Sequence, residues 1–329
     1  MTDVSAHSVL SIVTAHWGAR CAHVLAEAGI PDLLGDRPET PEMLAAAAGV
    51  DPEALDRIMR LVVSLGIFVA TPEGYAHNEA SRLLRSDHPR SLRPYARMIG
   101  SDWQWRSIGA LGHALRTGQT GMSHVFGKES FDYLGEHPDL SQVFDAAMQS
   151  RSTLDMPGIL AAGDFSRFPV IADIGGGNGA LLRAVLQQAP ESTGILFDLP
   201  SVIAASAPRD VPRLTAVGGS FFTDPLPKAD AYLLRRVIHD WRDAEALAIL
   251  TAVRAAAAPG TSLILLETPL PEGPERHQVK GLDIVMLAVV GGKERTLDQY
   301  RSLMDSAGFV FAGSTATPTG LALIEGVAR

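Results

Sequence analysis

The chain has 329 residues, more than one ordinary domain usually takes, so we expect two compact units. Its net charge of −9 disfavours a surface built to neutralise nucleic-acid phosphates or anionic lipid. The hydrophobic content is 46%, but the longest uncharged apolar run in the C-terminal half, residues 284–290, is far shorter than the ~20 residues of a membrane span.

The beginning of the chain has no basic segment followed by an apolar one, and Cys21 is its only cysteine. These two features predict a protein without a secretory signal that stays in the reducing cytoplasm. We therefore expect neither nucleic acid nor a membrane among its partners.

The first hundred residues have the element order of a winged helix. The segment SVLSIVTAHWGARCAHVLAEAGIPDLL, residues 8–34, places apolar residues at helical spacing before a Gly and a Pro. Two further helical segments follow, with Thr40 and Asp51 as N-cap residues. Two short strand-like runs then flank the turn PEG, which completes the order helix, helix, hairpin.

Winged helices often bind DNA, so the charge of this domain separates two functions. Residues 1–100 contain nine arginines, no lysine and twelve acidic residues, a net charge of −3, which favours a dimerisation module over a DNA-binding one. The apolar stripe of the first helix predicts a homodimer. Residues 101–165 have a helical pattern and would link the domain at 1–100 to a second one at 166–329.

From residue 169 onward, strand-like runs alternate with helical ones. The predicted strands lie in VIADIGGG, TGILFDLP, RLTAVGG, ADAYLLRRV and TSLILLE, and the helices between the first three in ALLRAVLQQAP and SVIAASAP. This order predicts an α/β fold with a parallel doubly wound sheet, whose ligands bind at the carboxyl ends of the strands.

The first of these strands ends in the glycine-rich run IADIGGGNG, residues 171–179. Its glycines at 175, 177 and 179 have the spacing G-x-G-x-G, and Ala180 stands where the third glycine of a dinucleotide fingerprint belongs. No Lys-Ser or Lys-Thr follows, which excludes the nucleoside-triphosphate loop. A dehydrogenase is therefore disfavoured, and the turn predicts a ligand without a pyrophosphate.

Asp198 ends the second strand, 23 positions after Gly175, where a carboxylate can accept both hydroxyls of a ribose. Asp173 lies at the start of the glycine turn and is expected to hold the turn or a cationic group. S-adenosylmethionine, a ribonucleoside that carries a sulfonium, satisfies each of these requirements.

A histidine and a glutamate follow two other predicted strands. His239 comes just after one of them, and Glu267 ends another, so both should reach the ligand edge of the sheet. An imidazole can take the proton of a phenol, and a nearby carboxylate stabilises the imidazolium. The acids at 240, 243 and 245 also suggest a cation site, but Asp240 or Asp243 is better explained as the cap of the next helix, so no metal is predicted.

Six motifs resemble those of the small-molecule O-methyltransferases of the plant caffeate type and their bacterial secondary-metabolism relatives, including the phenazine and polyketide-tailoring branches. The resemblance runs through nearly the whole chain. The motifs are DIGGGNG (173–179), FDLP (197–200), GSFFTDPLP (219–227), LLRRVIHDWRD (233–243), LLE (265–267) and GGKERT (291–296).

The resemblance implies a class I methyltransferase domain behind an N-terminal winged-helix dimerisation domain, and S-adenosylmethionine as the methyl donor, with S-adenosylhomocysteine as its product. It makes His239 the general base, supported by Glu267 and Glu294. The implied cofactor contacts are Ser152, Asp173, Gly175, Gly177, Asp198, Leu199, Ser220, Phe221 and Arg235. The implied contacts of a small aromatic acceptor are Phe144, Met148, Arg151, Asp240, Asp283, Val285 and Met286, and a weaker pattern adds Trp103, Trp105, His124 and Phe126.

Two positions depart from the plant pattern. Ser220 stands where an acid usually follows the glycine, and Arg235 stands where a lysine precedes the histidine by four positions. Three alternatives stay open at this point. The same fold and cofactor serve N-methylation, decarboxylation or hydroxylation in some relatives, a winged-helix regulator uses such a domain only to sense a ligand, and a dehydrogenase is the third.

Overall fold

The structure of the protein is a computed structural model that describes residues 6–206 and 211–329, without the side chains of residues 7 and 206. The chain divides into two compact units. The first unit contains the residues up to Arg106 together with Asp132–Thr153, and the second contains Ser107–Phe131 and Leu154–Arg329. The predicted domain limits at residues 100 and 165 stay a prediction.

The first half of the described chain is helical apart from one hairpin. Its elements are α1 (Ala6–Glu27), α2 (Ile30–Leu33), α3 (Pro41–Ala48), α4 (Pro52–Ser64), β1 (Val69–Thr71), β2 (Gly74–Ala76), α5 (Glu79–Arg82), α6 (Arg93–Gly100), α7 (Asp102–Gly109), α8 (Leu111–Thr117), α9 (Gly121–Phe126), α10 (Ser130–Glu136) and α11 (Pro138–Ala162).

The predicted order helix, helix, hairpin is confirmed by α3, α4 and the antiparallel pair β1–β2. Thr40 caps α3 by accepting a hydrogen bond from the backbone N–H of Met43, and Asp51 caps α4 in the same way through Ala54. Their buried faces form one apolar core together with the end of α1. This core contains Leu25, Ile30, Leu34, Leu44, Leu55, Met59, Val62, Phe68 and Tyr75.

The second half of the chain alternates strands and helices. Its elements are β3 (Val170–Ile174), α12 (Ala180–Gln188), β4 (Thr193–Asp198), α13 (Pro200–Ser206), β5 (Leu214–Gly218), β6 (Ala231–Arg235), α14 (Asp243–Ala256), β7 (Ser262–Glu267), α15 (Gln278–Val285), α16 (Leu297–Ser306), β8 (Phe309–Ala316) and β9 (Ala322–Ala328). The predicted helix SVIAASAP is observed as α13, and its last two residues lie outside the described part of the chain.

These strands form one seven-stranded sheet in the order β5-β4-β3-β6-β7-β9-β8. The first five strands in this order are parallel, as predicted, whereas β9 pairs antiparallel with β7 and with β8. The two antiparallel strands were not anticipated from the sequence. Because the parallel strands end at one edge, the residues after β3, β4, β6 and β7 meet there, and this edge carries the site.

Candidate active site

The glycine turn after β3 has a backbone that only glycine adopts easily. Gly175, Gly177 and Gly179 have φ values of +69°, +59° and +69°, in the left-handed region. A Cβ atom on Gly175 would also lie 2.9 Å from a methyl carbon of Val237, in the segment after β6. The turn therefore passes close to the segment that leads to His239, and any larger residue would force the two apart.

Asp198 at the end of β4 faces this turn. Its Oδ2 accepts a hydrogen bond of 2.8 Å from the backbone N–H of Gly177, and its Oδ1 accepts one of 2.7 Å from that of Leu199. Each carboxylate oxygen keeps a second lone pair, so Asp198 can still accept hydroxyl groups. Burial raises the pKa of Asp198, and the two backbone N–H groups oppose this rise.

Asp173, at the end of β3, is buried beneath the glycine turn with only 1% of its surface exposed. Among the described residues neither of its carboxylate oxygens has a hydrogen-bond partner. Burial raises its pKa to about 7, and the guanidinium of Arg235 opposes this rise. Burial likewise lowers the pKa of Arg235, an effect that Asp173 partly offsets. Buried oxygens without hydrogen bonds destabilise the folded protein unless a ligand donates hydrogen bonds to them.

The segment after β5 brings aromatic rings to the same edge of the sheet. Phe221 and Phe222 each lie edge-on to the ring of Trp241, with ring centres 5.9 and 4.7 Å apart. The hydroxyl of Ser220 accepts a hydrogen bond of 3.3 Å from the backbone N–H of Phe222, which fixes the turn that carries these rings. An acid at position 220, as in the plant pattern, is replaced here by a residue that shapes its own loop.

His239 lies on a short 3₁₀ turn, Ile238–Asp240, that follows β6. The chain enters this turn through Arg236, whose φ of +52° is unusual for a residue with a side chain. His239 is only 7% exposed. The imidazole is thus held in a dry environment at the carboxyl edge of the sheet.

Two glutamates hold His239 in different ways. Oε1 of Glu294 lies 2.8 Å from Nδ1 of the imidazole. Glu267, at the end of β7, instead accepts hydrogen bonds through Oε1 from the backbone N–H groups of Ile238, at 2.9 Å, and of His239, at 3.3 Å. The structure therefore brings all three predicted catalytic residues together, but only Glu294 contacts the ring.

The charges around His239 give the cluster a high affinity for protons. Burial by itself lowers the pKa of His239, but the carboxylates of Asp240, Glu267 and Glu294 together outweigh it and raise the pKa to about 9. Burial raises the pKa of Glu267 to about 7 and that of Asp240 to about 6, and in both groups His239 opposes the rise. The imidazolium is thus strongly stabilised.

Arg295 is a further residue of this site, and the sequence reasoning did not single it out. Its guanidinium donates hydrogen bonds to the backbone carbonyl oxygens of Ile238, at 2.9 Å, and Trp241, at 2.8 Å, and pairs with Asp243 at 2.9 Å. Its side chain is only 1% exposed. Because the two carbonyls flank His239 and Asp240, Arg295 fixes the turn that carries the imidazole.

The structure corrects the predicted role of Asp240 or Asp243 as a helix cap. Helix α14 has Arg242 at its N-cap position without a side-chain cap bond. Asp243 is the first helical residue and pairs with Lys293 and Arg295, while Oδ1 of Asp240 lies 3.4 Å from Nε2 of His239. Asp243 is therefore placed by charge partners far away in the sequence, whereas the charge partner of Asp240 is the neighbouring His239.

The proposed acceptor residues fall in both units. Asp283 of α15 accepts a hydrogen bond of 2.8 Å from the backbone N–H of Glu294, so it positions that glutamate. Met286 is buried at the start of a π-helical segment, Met286–Val290. The other three, Phe144, Met148 and Arg151, belong to the first unit, where the guanidinium of Arg151 lies over the ring of Tyr95.

Ser152 also lies in the first unit, and its buried hydroxyl has no hydrogen-bond partner among the described residues. Within residues 6–206 and 211–329, no group of three or more His, Cys, Asp or Glu side chains has an arrangement that could hold a metal ion. None of the helices described is both long enough and apolar enough to span a bilayer.

The mostly parallel sheet, with the glycine turn after β3 and an acid after β4, defines a class I methyltransferase domain behind a helical N-terminal domain. A family model described as the O-methyltransferase domain matches residues 108–310, and one described as the O-methyltransferase dimerisation domain matches residues 10–87. The chain belongs to the O-methyltransferase family, and it is an enzyme of the methyltransferase class EC 2.1.1.

Three similar proteins indicate the range of this family. A phenazine O-methyltransferase of Lysobacter antibioticus is 36% identical over 96% of this chain and 94% of its own length. An 8-amino-8-demethylriboflavin N,N-dimethyltransferase of Streptomyces davaonensis is 35% identical over 92% and 90%. A solved O-methyltransferase from neocarzinostatin biosynthesis, in complex with S-adenosylmethionine and 2-hydroxy-5-methyl naphthoic acid, is 30% identical over 95% and 96%, with a TM-score of 0.80.

Proposed function

We propose that the protein transfers a methyl group from S-adenosylmethionine to a hydroxyl of an aromatic or polyketide-like secondary metabolite, with His239 as the general base and without a metal ion. The observation that carries this proposal is the 2.8 Å contact between Nδ1 of His239 and Glu294, in a buried turn beside the glycine-rich turn. The solved relative with a hydroxynaphthoic acid supports an aromatic acceptor.

The residues at the sheet edge fit the donor. Asp198 has lone pairs left for the hydroxyls of a ribose, and the left-handed glycines let a ligand approach the backbone. The buried carboxyl oxygens of Asp173, which have no hydrogen-bond partner among the described residues, lie below that turn and can accept hydrogen bonds. Further donor contacts are proposed for Ser152, Gly175, Gly177, Leu199, Ser220, Phe221 and Arg235. When bound, S-adenosylmethionine supplies a methyl group already activated by positive sulfur.

The protein must then align the acceptor and remove its proton. In this mechanism Glu294 accepts the Nδ1 proton of His239, and Nε2, which also lies 3.4 Å from Oδ1 of Asp240, is the nitrogen that takes the proton of the acceptor hydroxyl. A phenol has a pKa of ~10. An imidazole whose pKa is raised to about 9 takes the proton of a phenol with a smaller cost in free energy, but only its neutral fraction can act as the base, and that fraction grows as the pH rises. The acids that raise this pKa also stabilise the imidazolium that forms during transfer.

Glu267 and Arg295 do not touch the imidazole ring. They hold the backbone of the turn through the N–H groups of Ile238 and His239 and the carbonyls of Ile238 and Trp241. Such positioning keeps Nε2 in place during attack. Small displacements of a reacting group strongly lower the rate of the reaction. The proposed acceptor contacts remain those implied by the resemblance, namely Phe144, Met148, Arg151, Asp240, Asp283, Val285 and Met286.

The test is to incubate the protein with S-adenosylmethionine and a panel of phenols, aminophenols and hydroxynaphthoic acids, and to measure S-adenosylhomocysteine and methylated product together. His239→Ala should lower kcat by roughly 100- to 10,000-fold. His88→Ala, between α5 and α6, is the matched control and should leave kcat unchanged. If His239→Ala transfers methyl as well as the wild type, the base assignment is wrong.

A second candidate is N-methylation by the same site, because a relative of similar identity is an N,N-dimethyltransferase. A basic imidazole with a carboxylate partner favours oxygen, since an amine attacks without prior loss of a proton. Aminophenols in the panel distinguish the two by the site of the new methyl group. Product that forms without S-adenosylhomocysteine would instead support decarboxylation or hydroxylation.

We also propose that the protein is a homodimer formed through its N-terminal domain. Helix α1 exposes large apolar side chains that its own unit leaves uncovered, and it lies mostly within the segment that matches the dimerisation domain. These side chains are Val9, Leu10, Ile12, Val13 and Trp17. The single cysteine, Cys21, supports the proposed cytoplasmic location.

A further inference from the structure

The backbone that leads into the His239 turn is strained at Arg236. Three non-glycine residues of the described chain have positive φ, namely Phe68, Arg213 and Arg236, and only Arg236 lies beside the site. Its φ is +52°, and its N–H donates a hydrogen bond of 3.1 Å to the carbonyl of Leu266 in β7. A side chain in this conformation persists only where its surroundings hold it there.

The side chain of Arg236 is held by an ion pair with Asp155 of α11. Nη2 of Arg236 lies 3.0 Å from Oδ2 of Asp155, and the two side chains are only 14% and 4% exposed. Nε of Arg236 is buried without a partner among the described residues. The carboxylate of Asp155 is therefore the group that balances the positive charge of the guanidinium. Removing one partner of such a pair leaves the other charge buried and unpaired.

Arg236 also provides positive charge beside an acidic cluster. The groups that face His239 are Asp240 on its own turn, Glu267 from β7 and Glu294 from the segment before α16. Arg236 opposes the rise in the pKa of both Asp240 and Glu267 that their burial causes. Asp155 and Arg235 complete the set of charges around this arginine.

We propose that Arg236 and Asp155 are a positioning pair for methyl transfer: they hold the left-handed residue that presents His239, and they keep a cation beside the acids of the site. Neither residue needs to touch the donor or the acceptor for this role. The inference rests on the proposed function, but its test includes a measurement that does not depend on activity.

The test compares Arg236→Met, Arg236→Lys and Asp155→Asn with a matched control, Arg213→Met. Arg213 also has a left-handed backbone, with φ +70°, and its guanidinium also holds buried structure through the carbonyls of Leu186, Ala189 and Ser192. It faces no acid of the site. Melting temperature, the pH profile of kcat and the titration of His239 by NMR on histidine-labelled protein are measured for each, with His239→Gln used to assign the signal.

Arg236→Met should lower kcat by roughly 10- to 100-fold, because the turn that aims His239 relaxes. It should also move the titration of the His239 cluster to higher pH, since removing a positive charge favours bound protons. Asp155→Asn should move it to lower pH, because the charge of Arg236 is then no longer neutralised. Arg236→Lys should restore the titration but only part of kcat, and Arg213→Met should lower the melting temperature alone.

Two results would overturn the proposal. One is an Arg236→Met variant that keeps both kcat and the wild-type titration; the other is an Arg213→Met variant that shifts the titration equally. If the wild type methylates none of the acceptors, the proposed function fails, but the His239 titration still decides the role of the pair. A titration that shifts as expected without any methyl transfer would thus separate the two claims.

Discussion

Nδ1 of His239 and Oε1 of Glu294 lie 2.8 Å apart although 55 residues of sequence separate them. The contact is buried, and it pairs Nδ1 of the imidazole with the carboxylate of Glu294. In the proposed mechanism the other nitrogen, Nε2, which lies 3.4 Å from Oδ1 of Asp240, accepts the proton of the acceptor hydroxyl. This relationship makes separate predictions for the two glutamates of the site.

Glu294→Gln should lower kcat on the order of 100-fold, because a neutral amide no longer fixes the tautomer or stabilises the imidazolium. Glu267→Gln should cost less, below about tenfold, since its amide oxygen can still accept the backbone N–H groups of Ile238 and His239. Steady-state kinetics with saturating donor measures both. Equal losses in the two variants would contradict the division of roles.

The activity should depend on pH with a definite sign. His239 must be neutral to act as a base, and the surrounding acids raise its pKa to about 9. The value of kcat/KM, which reports the free enzyme, should therefore rise with pH, reach half of its maximum near pH 9 and level off above it. Glu294→Gln removes a negative charge beside the imidazole, which lowers the pKa of His239, so the rise of kcat/KM should move to lower pH. A wild-type profile that is flat between pH 6 and 9 would argue against His239 as the base.

The sequence predicted the parts of the site that follow from strand ends. His239, Glu267 and Asp198 all come at or just after the last residue of a parallel strand, and such ends share one edge. The link between His239 and Glu294 came only from the family resemblance, because Glu294 follows no strand. Residues that act through backbone carbonyls or buried pairs, such as Arg295 and Asp155, have no local pattern that marks them.

The lack of a local sequence pattern for long-range contacts also explains why the two antiparallel strands at the edge of the sheet were not predicted. β8 and β9 follow α16 near the end of the chain, where the alternation of strands and helices stops. β9 inserts between β7 and β8, and this order depends on long-range pairing. Local periodicity identifies an element type, whereas its neighbour in the sheet is decided by the fold as a whole.

Arg295 makes a prediction about stability. Arg295→Met should lower the free energy of unfolding by about 2–4 kcal/mol, because the carbonyls of Ile238 and Trp241 lose their donor while they stay buried. The control Arg301→Met, which removes an exposed pair with Asp298 and the contact of the guanidinium with the ring of Phe311, should cost less, about 1 kcal/mol. Urea unfolding measures the stability of both variants. Equal losses in the free energy of unfolding would show that the hydrogen bonds of Arg295 to the His239 turn contribute little.

Asp198 makes a prediction about donor binding. Asp198→Ala should weaken the binding of S-adenosylhomocysteine roughly 100-fold, because both the support of the glycine turn and the acceptor of the ribose hydroxyls disappear. Asp230→Ala is the matched control, since Asp230 accepts a backbone N–H at the opposite end of β3. Calorimetry measures both. No heat with either S-adenosylmethionine or its product, from folded wild type, would remove the basis of the proposed function.

The exposed face of α1 makes a prediction about assembly. Ile12 and Trp17 are 74% and 59% exposed in a single chain, and a second copy is the partner proposed to cover them. Ile12→Glu with Trp17→Glu should therefore convert a particle of twice 35.0 kDa into one of that mass in sedimentation runs at micromolar concentration. Val310→Glu, at an exposed position of β8, should leave the dimer intact. A wild type that sediments as a single chain would contradict the proposed dimer, whereas a doubly substituted protein that stays dimeric would place the interface on another surface.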